Sequence, residues 1–241
     1  VFINAYNFPV WGMLEKLATC VIAGVPVIVK PATPTAQLAE ISFRHIVESG
    51  ILPAGAVQFI GGSVSEALDH LGGQDHILFT GSAGTAAKLR TLPAVVERGA
   101  KFTAEADSLN ATILGPDAGV DSEEFSAFVK AIFREMTSKS GQKCTCIRRV
   151  FVPQGMVEPT VAGLKARLAK VVVGDPRVEG TTMGPLVNAS QRDDVAAAVR
   201  LLMKGADVVV GGPDIVPTIA SGDVERGGFF PPTVLVANDT R

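Results

Sequence analysis

Cysteine is scarce: the 241-residue chain holds three, and two of them, Cys144 and Cys146, are separated by a single position. Three thiols cannot all pair internally, and two so close do not close a useful loop, so a secreted disulfide framework is excluded and a reducing, cytoplasmic setting is expected. Histidine is as scarce. His45, His70 and His76 are scattered without ligand spacing, so a zinc site built on Cys144 and Cys146 would lack two ligands, and no metal is expected. Charged residues make up only 19% of the chain, both signs are interspersed and the net charge is -2, which leaves no basic face for nucleic acid and no polybasic membrane anchor. The longest apolar runs, such as residues 25–29 and 206–210, are of strand length, far below the roughly 20 residues of a membrane span. Repeats and low-complexity segments are absent. So are the GxGxxG and Walker loops, and the glycines by themselves do not indicate a nucleotide site.

What is present is apolar residue in quantity, 47% of the chain, enough for the core of one large or two small domains. Short β-branched runs alternate with helix-period segments over the first hundred residues, the pattern of βαβ units and a largely parallel sheet. Strands are expected at 1–4, 25–29, 57–60, 77–80 and 101–105, with helices at 11–22, about 35–48 and 63–71. Gly24 and Ser49-Gly50 are the stop signals for the first two, and Ser63 three residues before Glu66 has capping-box spacing for the third. A second series follows: strand 111–114, helix 122–136, strand 150–152, helices 158–170 and 191–204, strand 207–210. A boundary near 106–110 divides the chain into domains 1–108 and 109–241. The first residues read as a strand with neither start methionine nor leader, and residues 234–241 stop without a cap, so the chain is expected to be a piece of something longer.

Few residues invite chemistry. Cys144 sits in the small, polar loop 137–144 ahead of Arg148-Arg149, where positive charge or backbone N–H groups would favour a thiolate. A lone cysteine is more often simply a small buried residue, and Cys146 fits that description better because it would point the other way on an extended segment. Glu105 ends an apolar strand, and Asn7 lies between the first strand and the first helix, where an amide can donate to an oxyanion or merely cap a turn. Lys30, Gly61-Gly62 and Phe79-Thr80-Gly81-Ser82 also close strands, at the carboxyl edge where α/β sheets place ligands, and each is also an ordinary strand-to-helix turn.

Taken in order and at their spacing, these pieces resemble the aldehyde dehydrogenase superfamily over essentially the whole chain. Asn4-Ala5-Tyr6-Asn7-Phe8-Pro9 resembles its aromatic-Asn-Phe-Pro segment, with Tyr6 where tryptophan is usual. Val29-Lys30-Pro31-Ala32 resembles its adenosine-side lysine motif, Phe79-Thr80-Gly81-Ser82 its pyrophosphate turn and Gly141-Gln142-Lys143-Cys144 its nucleophile loop. Gly174-Asp175-Pro176 and Met183-Gly184-Pro185-Leu186 resemble its later catalytic-domain signature. Where many members carry Glu-Leu-Gly-Gly-Lys, this chain has Glu105-Ala106-Asp107-Ser108-Leu109-Asn110, a variant similar to the branch that oxidises CoA-linked semialdehydes in phenylacetate and benzoyl-CoA degradation.

The resemblance implies an α/β fold with a Rossmann-type cofactor domain followed by an α/β catalytic domain. It also implies a mechanism: Cys144 as nucleophile, Asn7 and the Cys144 N–H as oxyanion donors, Glu105 as general base for hydrolysis. Ala5, Tyr6, Lys30, Ala32, Thr33, Gly62, Thr80, Gly81 and Ser82 would bind the cofactor. An acidic residue often stands at the Thr33 position in the family and repels a 2′-phosphate, so Thr33 beside Lys30 points to NADP, with NAD as the alternative. The resemblance further implies a homodimer or tetramer, a small aldehyde substrate linked to CoA, and segments outside this sequence, namely an amino-terminal part of the cofactor domain, a Glu-x-Phe-Gly-Pro segment and an oligomerising arm. CoA-acylating aldehyde dehydrogenase and a non-catalytic binding protein on the same fold are the rivals.

Overall fold

The computed structural model describes residues 1–217 and 219–237, so residues 238–241 of the expected uncapped carboxyl end lie outside the described residues. The chain forms two compact units, Val1–Asp107 and Ser108–Arg241.

The first unit is an α/β layer structure. In chain order it contains β1 (Phe2–Ile3), α1 (Trp11–Ile22), β2 (Val27–Lys30), α2 (Ala36–Glu48), β3 (Val57–Phe59), α3 (Ser65–Leu68), β4 (His76–Gly81), α4 (Ala83–Arg90), α5 (Pro93–Val96) and β5 (Lys101–Ala106). The strands pair in the order β3-β2-β1-β4-β5, every pair parallel. Parallel neighbours need crossovers, and these cover both faces, so the central strands β1, β2 and β4 carry apolar residues on both, whereas the edge strand β5 exposes Lys101, Thr103 and Glu105. Phe2, Val27 and Val29 pack with Met13 and Leu17 of α1 on one side. Ile77 packs with Leu68, Ala94 and Ala100 on the other. Burying each of the larger of these side chains stabilises the unit by about 1.5–3 kcal/mol.

Local signals explain most boundaries. The chain leaves α1 through Gly24 at φ 71°, and α2 through Gly50 at φ 66°, the left-handed stops a side chain would strain. The third helix is a correction. It spans only Ser65–Leu68, and the capping box expected of Ser63 and Glu66 does not form. Ser63 Oγ instead accepts from the Ser65 N–H at 3.3 Å and meets the Ser65 hydroxyl at 2.9 Å. This local hydroxyl turn competes with the helix start and shortens it.

The second unit contains β6 (Asn110–Ile113), α6 (Glu123–Thr137), β7 (Ile147–Phe151), α7 (Val157–Leu168), α8 (Ala189–Leu202), β8 (Ala206–Val210) and β9 (Val234–Ala237). β6 and β7 are parallel, β8 and β9 antiparallel. Ser122 caps α6 by accepting from the Phe125 N–H at 3.1 Å, with Glu123 and Glu124 in the positive first turn. Phe125, Val129 and Ile132 form the buried stripe of α6 and pack on Leu114, Leu164 and Leu168. The β7 strand begins three residues earlier than the apolar run 150–152 indicates, because Ile147 and Arg149 pair with β6 and Arg148 lies at the register shift between them. Backbone pairing recruits them whatever their side chains. Among the described residues no helix is long and apolar enough to cross a membrane.

Candidate active site

In the first unit the chain builds β1, β2 and β3 outward in one direction, then returns to add β4 and β5 on the other side of β1. Strand order reverses between β1 and β4, and in open α/β sheets ligands bind outside the carboxyl ends at such a point. Parallel pairing brings Lys30, Thr80, Gly81 and Glu105 to that edge: Ile3 pairs with Lys30 and Phe79, and Thr80 pairs with Glu105. Ala5, Tyr6 and Asn7 lie in the turns that leave β1, and the Thr35 hydroxyl donates to the Tyr6 carbonyl at 3.1 Å, tying that turn to the one after β2. Ala32 precedes a 3-10 turn, Thr33–Thr35, on which Thr33 is exposed. Lys30 is half-buried, and desolvation holds its ammonium below the usual lysine range. Gly62 follows β3 at φ 99°. A Cβ at Gly81 would lie 2.6 Å from the ring of Phe79, so a side chain there would have to displace that ring.

Two features of this edge were not signalled by sequence. Asn4 is only 4% exposed, yet both polar atoms of its side chain lack a partner, and so does the buried Thr80 hydroxyl. Asn4 and Thr80 are one step beyond the pair Ile3 and Phe79, hence neighbours on the same face of β1 and β4. Native proteins rarely leave such groups unpaired, because each costs about 1–3 kcal/mol. The second feature is Asp107. It adopts φ 54°, its N–H donates to the Gly81 carbonyl at 3.3 Å, and its carboxylate accepts from the Ala83 N–H at 3.1 Å. Asp107 therefore pins the end of β5, with Glu105 on it, to the start of α4. Ser82 caps the same helix by accepting from the Thr85 N–H at 3.3 Å, so two first-turn amides already have side-chain acceptors.

In the second unit, α6 ends and Lys139, Ser140 and Gly141 follow in three successive left-handed conformations, at φ 53°, 55° and 70°. For non-glycine residues this costs of order 1–3 kcal/mol each and persists only where the surroundings over-determine it. They do so here. Ser140 Oγ donates to the Gly184 carbonyl at 2.6 Å, and Gln142 accepts from the Val187 N–H at 2.9 Å and donates to the Lys139 carbonyl at 3.1 Å. The Lys143 ammonium pairs with Glu135 at 3.0 Å, and Arg148 donates to the Gly141 carbonyl at 2.6 Å. Segments 138–144 and 183–187, distant in sequence, are thus clamped together. Cys144 stands exposed on the turn that follows, while Cys146 is fully buried with its thiol donating to the Glu135 carbonyl at 3.1 Å. Burial pushes the Cys146 thiol above its ordinary range. The two cysteines differ in exposure because of a turn, rather than through alternation along a strand.

A family model described as the aldehyde dehydrogenase family matches residues 1–241. The chain belongs to that family. It is 48% identical to the 3,4-dehydroadipyl-CoA semialdehyde dehydrogenase of Aromatoleum evansii, over 98% of this chain and 45% of that protein. Among solved structures, it is similar to a mutant of aldehyde dehydrogenase C from Pseudomonas syringae in complex with NAD+ and octanal, with TM-score 0.81 and 27% identity over 97% of this chain and 46% of that one. It is also similar to an NADP-dependent enzyme of E. coli, with TM-score 0.77 and 25% identity over 97% of this chain and 46% of that one. The chain spans about half the length of the curated relatives it matches.

Within this aldehyde dehydrogenase chain, the expected cofactor-side residues, Asn7 and Glu105 belong to the first unit, and Cys144 belongs to the second. The residues given no role in advance are Asn4, Asp107, Asn110 and Gln142, although all four lie in segments that carried the resemblance. Spacing did not signal them: Asp107, Asn110 and Gln142 meet backbone groups far away in sequence, and the buried Asn4 side chain meets none. Asp175, in the other late motif, pairs with the exposed Arg177, whose guanidinium holds the carboxyl down to about 2. Among the described residues no cluster of three or more His, Cys, Asp or Glu is placed to hold a metal.

Proposed function

We propose that the complete protein oxidises an aldehyde, specifically a CoA-linked semialdehyde, to its carboxylic acid with a nicotinamide dinucleotide as hydride acceptor. The observation that carries this reading is the exposed Cys144 on a strained, clamped loop while its neighbour Cys146 is buried. The similarity to a CoA-linked semialdehyde dehydrogenase supports the substrate class.

The residues of the first unit fit a dinucleotide. The unpartnered Asn4 and Thr80 groups, the Lys30 ammonium and the Thr80-Gly81-Ser82 turn supply polar contacts at a strand-order reversal. Ala5, Tyr6, Ala32, Thr33 and Gly62 complete the edge. When bound, the nicotinamide supplies a hydride acceptor. Cys144 as thiolate would form a C–S bond to the aldehyde carbon, the carbonyl electrons moving to oxygen. The Asn7 amide and the Cys144 N–H would hold that oxyanion, and losing one such donor costs about 2.7–4 kcal/mol. Re-formation of the carbonyl breaks the C–H bond, hydride leaves, and a thioester remains on Cys144. Glu105 would then take a proton from water as the water oxygen attacks, and C–S cleavage returns the thiolate and releases the acid.

Thr33 carries no charge to repel a 2′-phosphate and Lys30 is three positions before the turn that presents it, which favours NADP over NAD. A homodimer or tetramer in the cytoplasm is the setting we propose. The test is single-turnover reduction of NADP and NAD by the full-length protein with a CoA-linked semialdehyde, alongside Cys144→Ala, Glu105→Gln and Thr33→Glu. Reduction that needs Cys144, a thioester trapped in Glu105→Gln and a preference shifted toward NAD in Thr33→Glu are expected. Multiple turnovers that need free CoA would instead establish the acylating reaction, and reduction independent of Cys144 would end the nucleophile assignment.

A further inference from the structure

We propose that Asn110 is a positioning residue for Cys144, its side-chain amide aiming the main-chain N–H that receives the oxyanion. The inference rests on Cys144 as nucleophile. Asn110 opens β6, and its Nδ2 group donates to the Cys144 carbonyl at 2.6 Å and to the Cys146 carbonyl at 3.1 Å. An NH2 group carries two hydrogens, so a single amide serves both acceptors. Between them the Cys146 N–H donates to the Lys143 carbonyl at 3.2 Å. Peptide groups are planar, so each of these bonds fixes a whole peptide unit. The Cys144 N–H belongs to the same unit as the Lys143 carbonyl, and the next unit begins at the Cys144 carbonyl that Asn110 holds. The turn therefore cannot rotate without breaking one of these three bonds, two of which are made by Asn110.

Strand pairing frees Asn110 for this task. The β6–β7 register slips immediately after it, with Asn110 opposite Ile147 but Ala111 opposite Arg149. The irregularity lets a side chain on β6 reach the turn that leads into β7. A hydroxyl would serve one carbonyl, and a carboxylate would place oxygen against both.

The experiment uses the full-length protein with Asn110→Asp and Asn110→Ser. Three quantities are read: single-turnover hydride transfer to NADP, the rate of Cys144 alkylation by iodoacetamide, and the melting temperature. Alkylation needs an exposed thiolate but no oxyanion donor, so it separates aim from folding. Hydride transfer should fall about 100-fold in Asn110→Asp and about tenfold in Asn110→Ser, the scale of a lost or misdirected oxyanion donor, with alkylation and the aldehyde KM within about twofold. Unchanged hydride transfer overturns the proposal. So does a parallel fall of hydride transfer and alkylation with a lowered melting temperature, which would make Asn110 a support of the fold alone. Should Asn110→Asp fail to fold, Asn110→Ser carries the same test. Wild-type oxidation that does not depend on Cys144 overturns the nucleophile reading itself, and is distinguishable because it needs no Asn110 variant.

Discussion

The carboxyl edge of the first unit and the cysteine loop of the second treat their polar groups in opposite ways. At the edge, Asn4 and Thr80 are buried with side-chain atoms unpaired. In the loop, two non-glycine residues are held left-handed, and the carbonyls of Lys139, Gly141, Cys144 and Cys146 all accept bonds from side chains. A surface that receives a polar ligand keeps hydrogen-bonding capacity for it, at a cost in stability. A loop that must aim one atom uses internal bonds to hold a conformation the chain would otherwise leave.

The largest test of that contrast is Cys144→Ala. Hydride transfer should vanish while the melting temperature stays within a few degrees, because an exposed thiol on a turn contributes little packing. Stopped-flow absorbance and calorimetry check both halves. Loosening the clamp is the next step down. Gln142→Ala removes the acceptor of the Val187 N–H and the donor to the Lys139 carbonyl, and should slow acylation about tenfold to 100-fold while costing about 1–3 kcal/mol of stability. A rapid-quench measurement showing wild-type acylation would break the idea that the clamp aims the loop.

At the edge the signs should differ. Asn4→Leu removes an unsatisfied buried amide at similar volume, so the protein without cofactor should gain about 1–3 kcal/mol while its dissociation constant for NADP rises. Titration calorimetry and denaturant unfolding read the two together, and loss of stability with unchanged affinity would show that the amide serves folding. Asp107 sharpens the comparison from within the edge. Asp107→Asn keeps the acceptor and the left-handed turn and should behave as wild type, whereas Asp107→Gly keeps only the turn and should slow thioester hydrolysis more than acylation, by about tenfold.

The smallest expected effect concerns Cys146. Its thiol titrates above the ordinary value of 9.0 because it is buried, so the folded state keeps its proton at pH where the unfolded chain has begun to lose it. The stability this contributes is present below the unfolded value and lost as pH rises past it. Mass spectrometry after alkylation between pH 7 and about 9 should find Cys144 modified and Cys146 intact until denaturant is added. Modification of both at equal rates would erase the distinction between the two thiols.

Much of this was legible in the residues. Alternation of β-branched runs with helical stripes indicated the parallel sheet, and Gly24, Gly50 and Ser122 marked boundaries that the chain uses as punctuation. Ser63 and Glu66 misled, since the Ser63 oxygen bonds two residues on, to Ser65, in a local turn instead of three residues on, as a capping box requires. The start of β7 was misplaced because ladder pairing with β6 recruits charged residues that no apolar period predicts. Asn110 and Gln142 lay in quoted motifs, but their bonds cross 34 and 45 residues of chain, a distance that spacing cannot reveal.

By itself the sequence determined the element types, the layer of strands and helices, and the ordered motifs that place the chain in its family, because these depend on local conformational preference and on which residues must leave water. Tertiary structure alone decided which carbonyls Asn110 and Gln142 hold, which buried groups at the sheet edge stay unpaired, and that a turn instead of strand alternation separates the exposed Cys144 from the buried Cys146. Those outcomes depend on strand register and on backbone groups brought together from remote parts of the chain, and hydrogen bonds of a few ångströms form only after the packing has set the distances.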